Sequence, residues 1–257
     1  MAEVLLSAQK VTKRFGGLAA VNGVSVDLWR GKIHAVIGPN GAGKSTLTNL
    51  LSGDLPPTSG QVLLGGANVT GWAPERISRQ GLGRSYQKTN IFLPLTVHEN
   101  VRLAAQSRDA QQPWNPLRWW QDTRSDTIKN RATSARLESA IELSGLKDRR
   151  TAIAGAMSHG EQRQLEIAMT LATEPQVLLL DEPLAGMGVA EAERMVELLQ
   201  RLKPAHAMML VEHDMDAVFA LADRLTVMVN GEVIANGTPP EVRADATVQA
   251  AYLGEDH

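Results

Sequence analysis

One glycine-rich stretch, residues 38–46, constrains the fold more than any other part of the chain. It consists of Gly38, Pro39, Asn40, Gly41, Ala42, Gly43, Lys44, Ser45 and Thr46. The apolar run at 33–37 predicts a buried strand before it, and the run at 47–53 predicts a short helix that ends at a glycine. A strand, a glycine loop ending in Lys-Ser and a helix, in this order, are typical of a phosphate-binding loop.

The residue types of this loop suit a highly charged anion. Glycines let consecutive backbone N–H groups turn toward one phosphate, and the N-terminus of the following helix adds its positive end. We expect Lys44 to contact the β- and γ-phosphates of a nucleotide and the Ser45 hydroxyl to bind Mg²⁺. The structural alternative is a tight glycine turn that carries a lysine by chance, and the flanking strand and helix disfavour it.

Length and composition exclude several classes of protein. The chain of 257 residues can bury a full core, and its formal net charge of −2 argues against nucleic-acid binding driven by bulk charge. It contains no cysteine, which excludes disulfides and thiolate metal sites. We find no basic signal-peptide region, and no charge-free apolar run reaches the ~18 residues of a membrane helix. We therefore expect a soluble, cytoplasmic protein that associates with a membrane only through a partner.

The front of the chain predicts a small antiparallel sheet beside the phosphate-binding core. Strand patterns on both sides of the loop cover residues 4–11, 24–28 and 61–64. At 24–28 the apolar valines and leucine alternate with polar residues, which indicates a strand with one buried face.

The back half alternates strand and helix patterns, which is typical of parallel strands joined by crossover helices and predicts an α/β fold. The strands are predicted at 177–181 and 207–211, and the helices at 189–202 and 214–222. After them, Asn230-Gly231 predicts the two-residue type I′ turn of a hairpin, and Thr238 is predicted to begin the last helix.

The middle of the chain differs from both ends, because residues 106–134 are polar and have little β-character. They predict a loop or a short helix. Their three tryptophans either form a partner surface or pack onto neighbouring helices. We interpret residues 88–165 as a helical subdomain inserted into a single domain that spans 1–257. Residues 1–87 and 166–257 then form the nucleotide-binding α/β core with its β subdomain.

Two neighbouring carboxylates follow the apolar strand at 177–181. Asp181 ends that strand and Glu182 comes next. We expect this strand to lie beside the phosphate-loop strand, so that Asp181 holds Mg²⁺ through its water shell. Glu182 would then orient or deprotonate the attacking water. The alternative is a purely structural role, since an apolar strand that ends in aspartate is common.

The segment 157–161, Met-Ser-His-Gly-Glu, carries a resemblance to a known family. With the phosphate loop and the carboxylate pair, it resembles the nucleotide-binding subunits of ATP-binding cassette (ABC) transporters, whose signature is usually Leu-Ser-Gly-Gly-Gln. Ser158 and Gly160 keep this signature, whereas His159 and Glu161 depart from it. From the residues alone, Ser158 and Glu161 form a helix-capping box, and a capped helix N-terminus is also an anion site.

The resemblance spans nearly the whole chain and implies roles for further residues. Phe15 matches the aromatic residue that stacks on adenine, and Gln87 matches the glutamine that contacts Mg²⁺ and the attacking water. His213 matches the histidine that contacts the γ-phosphate. The family also implies that Ser158 and Gly160 face the γ-phosphate bound by a second ATPase subunit, in a homodimer or a heterodimer. Without the resemblance, Phe15 predicts a core aromatic residue and His213 an ordinary histidine at a strand end.

A narrower resemblance points to importers of branched-chain amino acids. The run 83–92, the extra segment 106–134 and the ending 251–254 are similar to the longer of the two ATPase subunits of these systems. This resemblance implies ATP as substrate, Mg²⁺ as cofactor, two membrane permeases as partners and a substrate-binding protein as an indirect partner. It also implies a peripheral location on the inner face of the cell membrane, and we expect no nucleic-acid partner.

Three other functions share part of the pattern. An ABC ATPase that exports lipid or polysaccharide shares every catalytic motif, so only the importer-like segments argue against it. Soluble ABC ATPases that act on DNA or ribosomes usually carry tandem cassettes or long coiled-coil insertions, and this chain has neither. A phosphoryl-transfer kinase shares the phosphate loop but does not account for residues 157–164 or Glu182. The preferred hypothesis is an importer ATPase in which two chains pair head to tail around ATP.

Overall fold

The computed structural model describes residues 3–85, 91–107, 123–213 and 215–253. Gln87 and the three tryptophans at 114, 119 and 120 lie outside these ranges. Within them the strands are β1 (Val4–Phe15), β2 (Leu18–Trp29), β3 (Lys32–Ile37), β4 (Ser59–Leu64), β5 (Ala67–Asn68), β6 (Leu82–Arg84), β7 (Val177–Asp181), β8 (Ala207–Val211), β9 (Arg224–Val229) and β10 (Glu232–Gly237). The helices are α1 (Lys44–Ser52), α2 (Pro74–Arg79), α3 (Val97–Ser107), α4 (Thr123–Leu143), α5 (His159–Leu171), α6 (Val189–Leu202), α7 (Met215–Leu221), α8 (Pro239–Ala244) and α9 (Ala246–Leu253).

The front strands form the predicted antiparallel sheet, in the order β2-β1-β4-β5. Val24, Val26 and Leu28 are buried, and the polar residues between them are exposed. This alternation is what a strand with one solvated face requires. The strand predicted at 4–11 continues to Phe15, where it pairs with the start of β2.

The second sheet has six strands in the order β10-β9-β3-β8-β7-β6, and all its pairs are parallel except β9 with β10. This order corrects one expectation: β7, which ends at Asp181, does not lie beside β3, because β8 separates them. Both β7 and β8 are buried along their whole length. Their sequence patterns are therefore equivalent and do not indicate which one pairs with β3.

Alternate residues of the parallel strands pack into two separate layers of core. Leu178 and Met208 pack with helices α3, α4, α5 and α6 on one face of the sheet. Leu179 and Met209 pack with α1 and the antiparallel sheet on the other. Because both faces are covered, these strands are continuous apolar runs rather than alternating ones.

Two helices differ from the sequence-based prediction. The segment 106–134 is not only a loop or short helix, because α4 begins at Thr123 and runs for 21 residues to Leu143. Burial of Leu137, Ala140 and Ile141 anchors this helix against the core. The second correction is that α8 is not the last helix. Asp245 accepts a hydrogen bond from the Thr247 N–H (2.7 Å) and so begins α9.

Within the described ranges, no helix combines the length and the apolar character that crossing a membrane requires.

Candidate functional site

The phosphate loop connects β3 to α1, and close backbone packing fixes its shape. Gly43 precedes α1 with a φ of 97°, in the left-handed region that favours glycine. A Cβ at Gly43 would lie 2.3 Å from the Ala20 carbonyl oxygen, and a Cβ at Gly38 would lie 2.0 Å from that of Met228. No larger residue fits at either position without a backbone shift, so the glycines are required by tertiary packing as well as by the turn.

A cavity of about 460 Å³ lies over this loop. Its lining combines backbone of the loop, a carboxylate and the turn between β9 and β10. The residues that line it are Leu18, Ala19, Ala20, Asn40, Gly41, Ala42, Gly43, Lys44, Ser45, Thr46, Glu182, Asn230 and Gly231. Such a cavity, with one lysine, several hydroxyls and a helix N-terminus, can bind a polyphosphate.

The hairpin turn at Asn230-Gly231 braces the loop from the side. Both residues have positive φ, 49° and 82°, as the predicted type I′ turn requires. The Gly231 N–H donates to the Ala42 carbonyl (3.0 Å), and the Gly231 carbonyl accepts from the Asn22 N–H (2.8 Å). The sequence predicts the turn but carries no signal for this contact, because the two segments meet only in the tertiary structure.

Lys44 lies at the junction of the loop and α1. Its Nζ donates to the carbonyls of Gly38 and Pro39, the latter at 3.0 Å. Burial lowers the pKa of Lys44, and the nearby carboxylates of Glu182 and Asp181 oppose that shift. The ammonium group is therefore held in a partly desolvated position, where an anion gains more from it than in water.

The two predicted carboxylates at the end of β7 differ in environment. Asp181 is only 3% exposed, and burial raises its pKa while the charge of Arg84 opposes the rise. Glu182 is half-buried and adopts a φ of 48°, unusual for a residue with a side chain. Its N–H donates to the Val211 carbonyl (2.8 Å), which ties it to β8.

His213 lies two residues beyond β8, with its Nδ1 3.7 Å from Glu182 Oε1. The His213 side chain is largely exposed, whereas that of Glu182 is half-buried. The structure thus brings Lys44, Asp181, Glu182 and His213 to one edge of the parallel sheet, although β7 and β3 are not neighbours.

Arg84, at the end of β6, is a residue of this region that the sequence did not reveal. Its guanidinium donates to Ser52 Oγ (2.6 Å), Asp54 Oδ2 (2.6 Å) and Asn49 Oδ1 (2.7 Å). These contacts connect β6 to α1, the helix that follows the phosphate loop, and they place a positive charge near Asp181. A single arginine at the end of a three-residue strand has no sequence signal that would identify it.

The donor atoms fit the Mg²⁺ that the fold implies. The Ser45 hydroxyl lines the cavity, and the Asp181 carboxylate lies within electrostatic reach of Lys44 in the same region. Among the residues that the structure describes, no group of three or more His, Asp or Glu could enclose a metal ion. Mg²⁺ commonly takes only one or two protein oxygens and completes its shell with water and phosphate, so Ser45 and Asp181 suit it.

Ser158 and Gly160 form a separate candidate site at the N-terminus of α5. The predicted capping box is present: Ser158 Oγ accepts from the Glu161 N–H (3.3 Å), and the Glu161 carboxylate accepts from the Ser158 N–H (3.0 Å). Ser158 Oγ also donates to Glu191 Oε1 (2.7 Å), and this bond lowers the pKa of Glu191. In this chain the site therefore holds the chain's own carboxylate, from the first turn of α6.

The two departures from the usual signature have local contacts of their own. Glu161 completes the capping box and pairs with Arg149 (2.8 Å). The His159 ring lies beside Gly186, where a Cβ would be 3.6 Å from its Cε1. Ser158 and Gly160 are not among the residues that line the cavity over the phosphate loop. One chain therefore presents its phosphate loop and its signature at different places.

Phe15 is half-exposed at the end of β1, rather than buried in the core. It pairs across the sheet with Leu18, which lines the cavity. Lys13 lies over its ring at 5.3 Å. Part of the Phe15 side chain is thus exposed close to the rim of the site.

Comparisons with known proteins find a family match and full-length relatives. Residues 21–185 match the ABC transporter family, and residues 232–257 match the branched-chain amino acid ATP-binding cassette transporter family. The chain is 38% identical to the high-affinity branched-chain amino acid transport ATP-binding protein LivG of Escherichia coli K12, over 99% of this chain and all of LivG. It is 36% identical to the corresponding protein BraF of Pseudomonas aeruginosa, again over 99% of this chain and all of the relative.

Solved structures extend the similarity to the fold. A nucleotide-free ATP-binding cassette from an ABC transporter superposes with a TM-score of 0.82 and 27% identity, covering 98% of this chain and 100% of that one. An ATP-binding cassette in its ADP conformation gives a TM-score of 0.81 and 28% identity over the same fractions. From the family match and the full-length relatives, this chain belongs to the ABC transporter family, as one of its ATP-binding cassettes.

Proposed function

We propose that this protein is the ATP-hydrolysing subunit of an ABC importer for branched-chain amino acids. The observation that carries the proposal is the 38% identity to LivG over the full length of both chains. The match of residues 232–257 to the branched-chain amino acid transporter family supports an importer over a lipid or polysaccharide exporter and over a soluble ABC ATPase.

Nucleotide binding rests on the loop 38–46. The phosphates of ATP lie on its backbone N–H groups and on Lys44, and adenine stacks on the exposed ring of Phe15. Ser45 and Asp181 hold Mg²⁺, together with Gln87 as the family resemblance implies. When bound, the metal neutralises phosphate charge in the cavity.

Hydrolysis rests on the side chains at the edge of the parallel sheet. Glu182 orients the attacking water and accepts its proton, and its half-buried position leaves it open to the cavity. His213, 3.7 Å from Glu182, contacts the γ-phosphate. Lys44 stabilises the charge that develops on the phosphate oxygens.

The separation of Ser158 and Gly160 from the phosphate loop of the same chain supports an assembly of two subunits. Two ATPase subunits pair head to tail, so that each ATP lies between Lys44 of one chain and Ser158 of the other. The second subunit is either another copy or a different ATPase chain. The helical subdomain 88–165 transmits closure through Gln87 to two membrane permeases, which hold the protein on the inner face of the membrane and receive solute from a binding protein.

The Glu182→Gln variant tests the mechanism. The amide cannot accept the proton of water, so we expect ATP binding without turnover, and a dimer that forms only when ATP is added. Light scattering with and without ATP measures the dimer, and phosphate release measures turnover. Hydrolysis at the wild-type rate would contradict the role of Glu182. A monomer under all conditions would favour a different ATPase chain as partner.

Uptake tests the solute. The chain, reconstituted with its permeases and binding protein in vesicles, should drive ATP-dependent uptake of leucine, isoleucine or valine. Active ATP hydrolysis without uptake of any of the three would refute the branched-chain assignment and leave the ATPase assignment in place.

A further inference from the structure

A buried carboxylate, Glu212, lies between β8 and His213 and has no role in the mechanism above. It is 1% exposed. Its Oε1 accepts a hydrogen bond from the Leu184 N–H (2.9 Å), and its Oε2 accepts one from the His213 N–H (3.3 Å). Both donors lie close to proposed catalytic groups, since Leu184 is two residues after Glu182 and the other N–H belongs to His213 itself.

The first bond completes a clamp on the segment 182–184. At one end of the segment, the Glu182 N–H donates to the Val211 carbonyl (2.8 Å). At the other end, the Leu184 N–H donates to the carboxylate of Glu212, the residue after Val211. Pro183 between them has no N–H to donate. Val211 and Glu212 thus accept a hydrogen bond from each of the two backbone N–H groups that the segment 182–184 contains.

This clamp matters because Glu182 is held in an unfavourable backbone conformation. A φ of 48° in a residue with a Cβ persists only where the surrounding structure enforces it. The two hydrogen bonds from the end of β8 restrain it on either side of Pro183, and the Ala185 N–H also donates to the Glu182 carbonyl (3.2 Å). Without the second one, the segment can relax and move the Glu182 side chain.

The second bond connects the same carboxylate to His213. One side chain therefore fixes the backbone positions of both members of the pair that lie 3.7 Å apart. Burial raises the pKa of Glu212, while its two backbone hydrogen bonds oppose the rise. Burying an acid is unfavourable unless its oxygens are paired. Both oxygens of Glu212 accept hydrogen bonds from these two backbone N–H groups.

We infer that Glu212 is a positioning residue for ATP hydrolysis, because it holds Glu182 and His213 in place relative to the γ-phosphate. The inference rests on the proposed function. It assigns Glu212 no contact with nucleotide. Its loss should therefore affect turnover and leave binding of ATP to the loop 38–46 nearly unchanged.

The experiment compares Glu212→Ala and Glu212→Gln with the wild type, as full chains alone and with their permease partners. Alanine removes both acceptors, whereas glutamine keeps one oxygen for the Leu184 N–H. A displacement of about 1 Å in a catalytic group can cost about 100-fold. We expect kcat to fall about 10- to 100-fold in the alanine variant and less in the glutamine variant, with the Kd for ATP within about twofold of wild type.

A matched control separates positioning from general loss of stability. Thr226→Val removes a buried hydrogen bond to His34 (2.7 Å) in the same sheet without touching residues 182–184 or 213. It should lower the melting temperature with little change in kcat. The nuclear magnetic resonance signals of the His213 ring should shift in Glu212→Ala but not in the control.

Three outcomes would overturn the inference. The first is that the wild type hydrolyses ATP and the kcat of both Glu212 variants stays within about twofold of the wild-type kcat. The second is a loss of kcat in Thr226→Val as large as in Glu212→Ala, which would reduce Glu212 to a structural role. The third is a wild-type complex that binds ATP without hydrolysing it, which would refute the proposed function first and the positioning role with it.

Discussion

Replacing Gly43 by alanine tests whether tertiary packing, and not only chain flexibility, requires the glycines of the phosphate loop. Gly43 has a φ of 97°, and a Cβ there would lie 2.3 Å from the Ala20 carbonyl oxygen of β2. That oxygen belongs to backbone, so it cannot rotate away as a flexible side chain would. Gly71 provides the matched control, because its φ is 72° and a Cβ there would meet nothing within 4 Å.

The expected cost has two parts. A left-handed conformation costs a residue with a Cβ about 1–2 kcal/mol, and both variants incur this cost. The clash at Gly43 adds the cost of overpacking, about 1–3 kcal/mol. We therefore expect the free energy of unfolding to fall by about 2–5 kcal/mol in Gly43→Ala and by about 1–2 kcal/mol in Gly71→Ala. For a domain of this size the melting temperature falls by about 2–4 °C per kcal/mol.

Thermal unfolding with and without ATP measures both stability and binding. ATP at 100 times its Kd should stabilise the wild type by about 2.7 kcal/mol. The Gly71→Ala variant should keep that gain in full, whereas Gly43→Ala should lose most of it, because the loop must shift away from β2. Equal stability of the two variants, together with an equal response to ATP, would refute the packing argument.

Three further predictions follow from the site and the core. Lys44→Ala should weaken nucleotide binding, and an unchanged affinity in a titration would contradict the assignment of the loop. Glu191→Gln, in the Glu182→Gln background, should weaken the hydrogen bond from Ser158 to residue 191 of the same chain. Ser158 is then freer to contact the ATP of the partner, so light scattering should detect a dimer at a lower ATP concentration. An unchanged midpoint would argue against competition between Glu191 and ATP for Ser158. Burial lowers the pKa of His34 from 6.5 to about 4, so stability is fully present above pH 6.5 and decreases as the pH falls toward 4. The total loss is about 3 kcal/mol, and urea unfolding of His34→Gln should lack this pH dependence.

Most of the secondary structure could be predicted because its signals are local. Strands β7 and β8 and helix α6 begin and end where the apolar patterns predict. The order of the strands could not be predicted in the same way. Every residue of β7 and of β8 is buried, so the pattern does not reveal which strand pairs with β3. The placement of Asp181 near Lys44 nevertheless follows from parallel pairing, because parallel strands end at the same edge of the sheet.

The residues of the candidate site also divide into those with a local sequence signal and those without one. Residues 38–46 and the pair Asp181-Glu182 could be selected as candidates because their residue types occur in contiguous sequence. Gly231 against Ala42 and Glu191 against Ser158 are contacts between segments far apart in the chain, and no local signal predicts either contact.

Glu212 shows how far the local signal extends. It follows an apolar buried strand, as Asp181 ends one, and the register pairs Asp181 with Val211, so both acids lie at the same sheet edge. The rule that selects Asp181 from the sequence therefore selects Glu212 as well. Only the contacts separate their roles: Asp181 lies within reach of the Lys44 charge, whereas Glu212 accepts two backbone N–H groups. A buried carboxylate that accepts a backbone N–H group on each oxygen can hold catalytic groups in place.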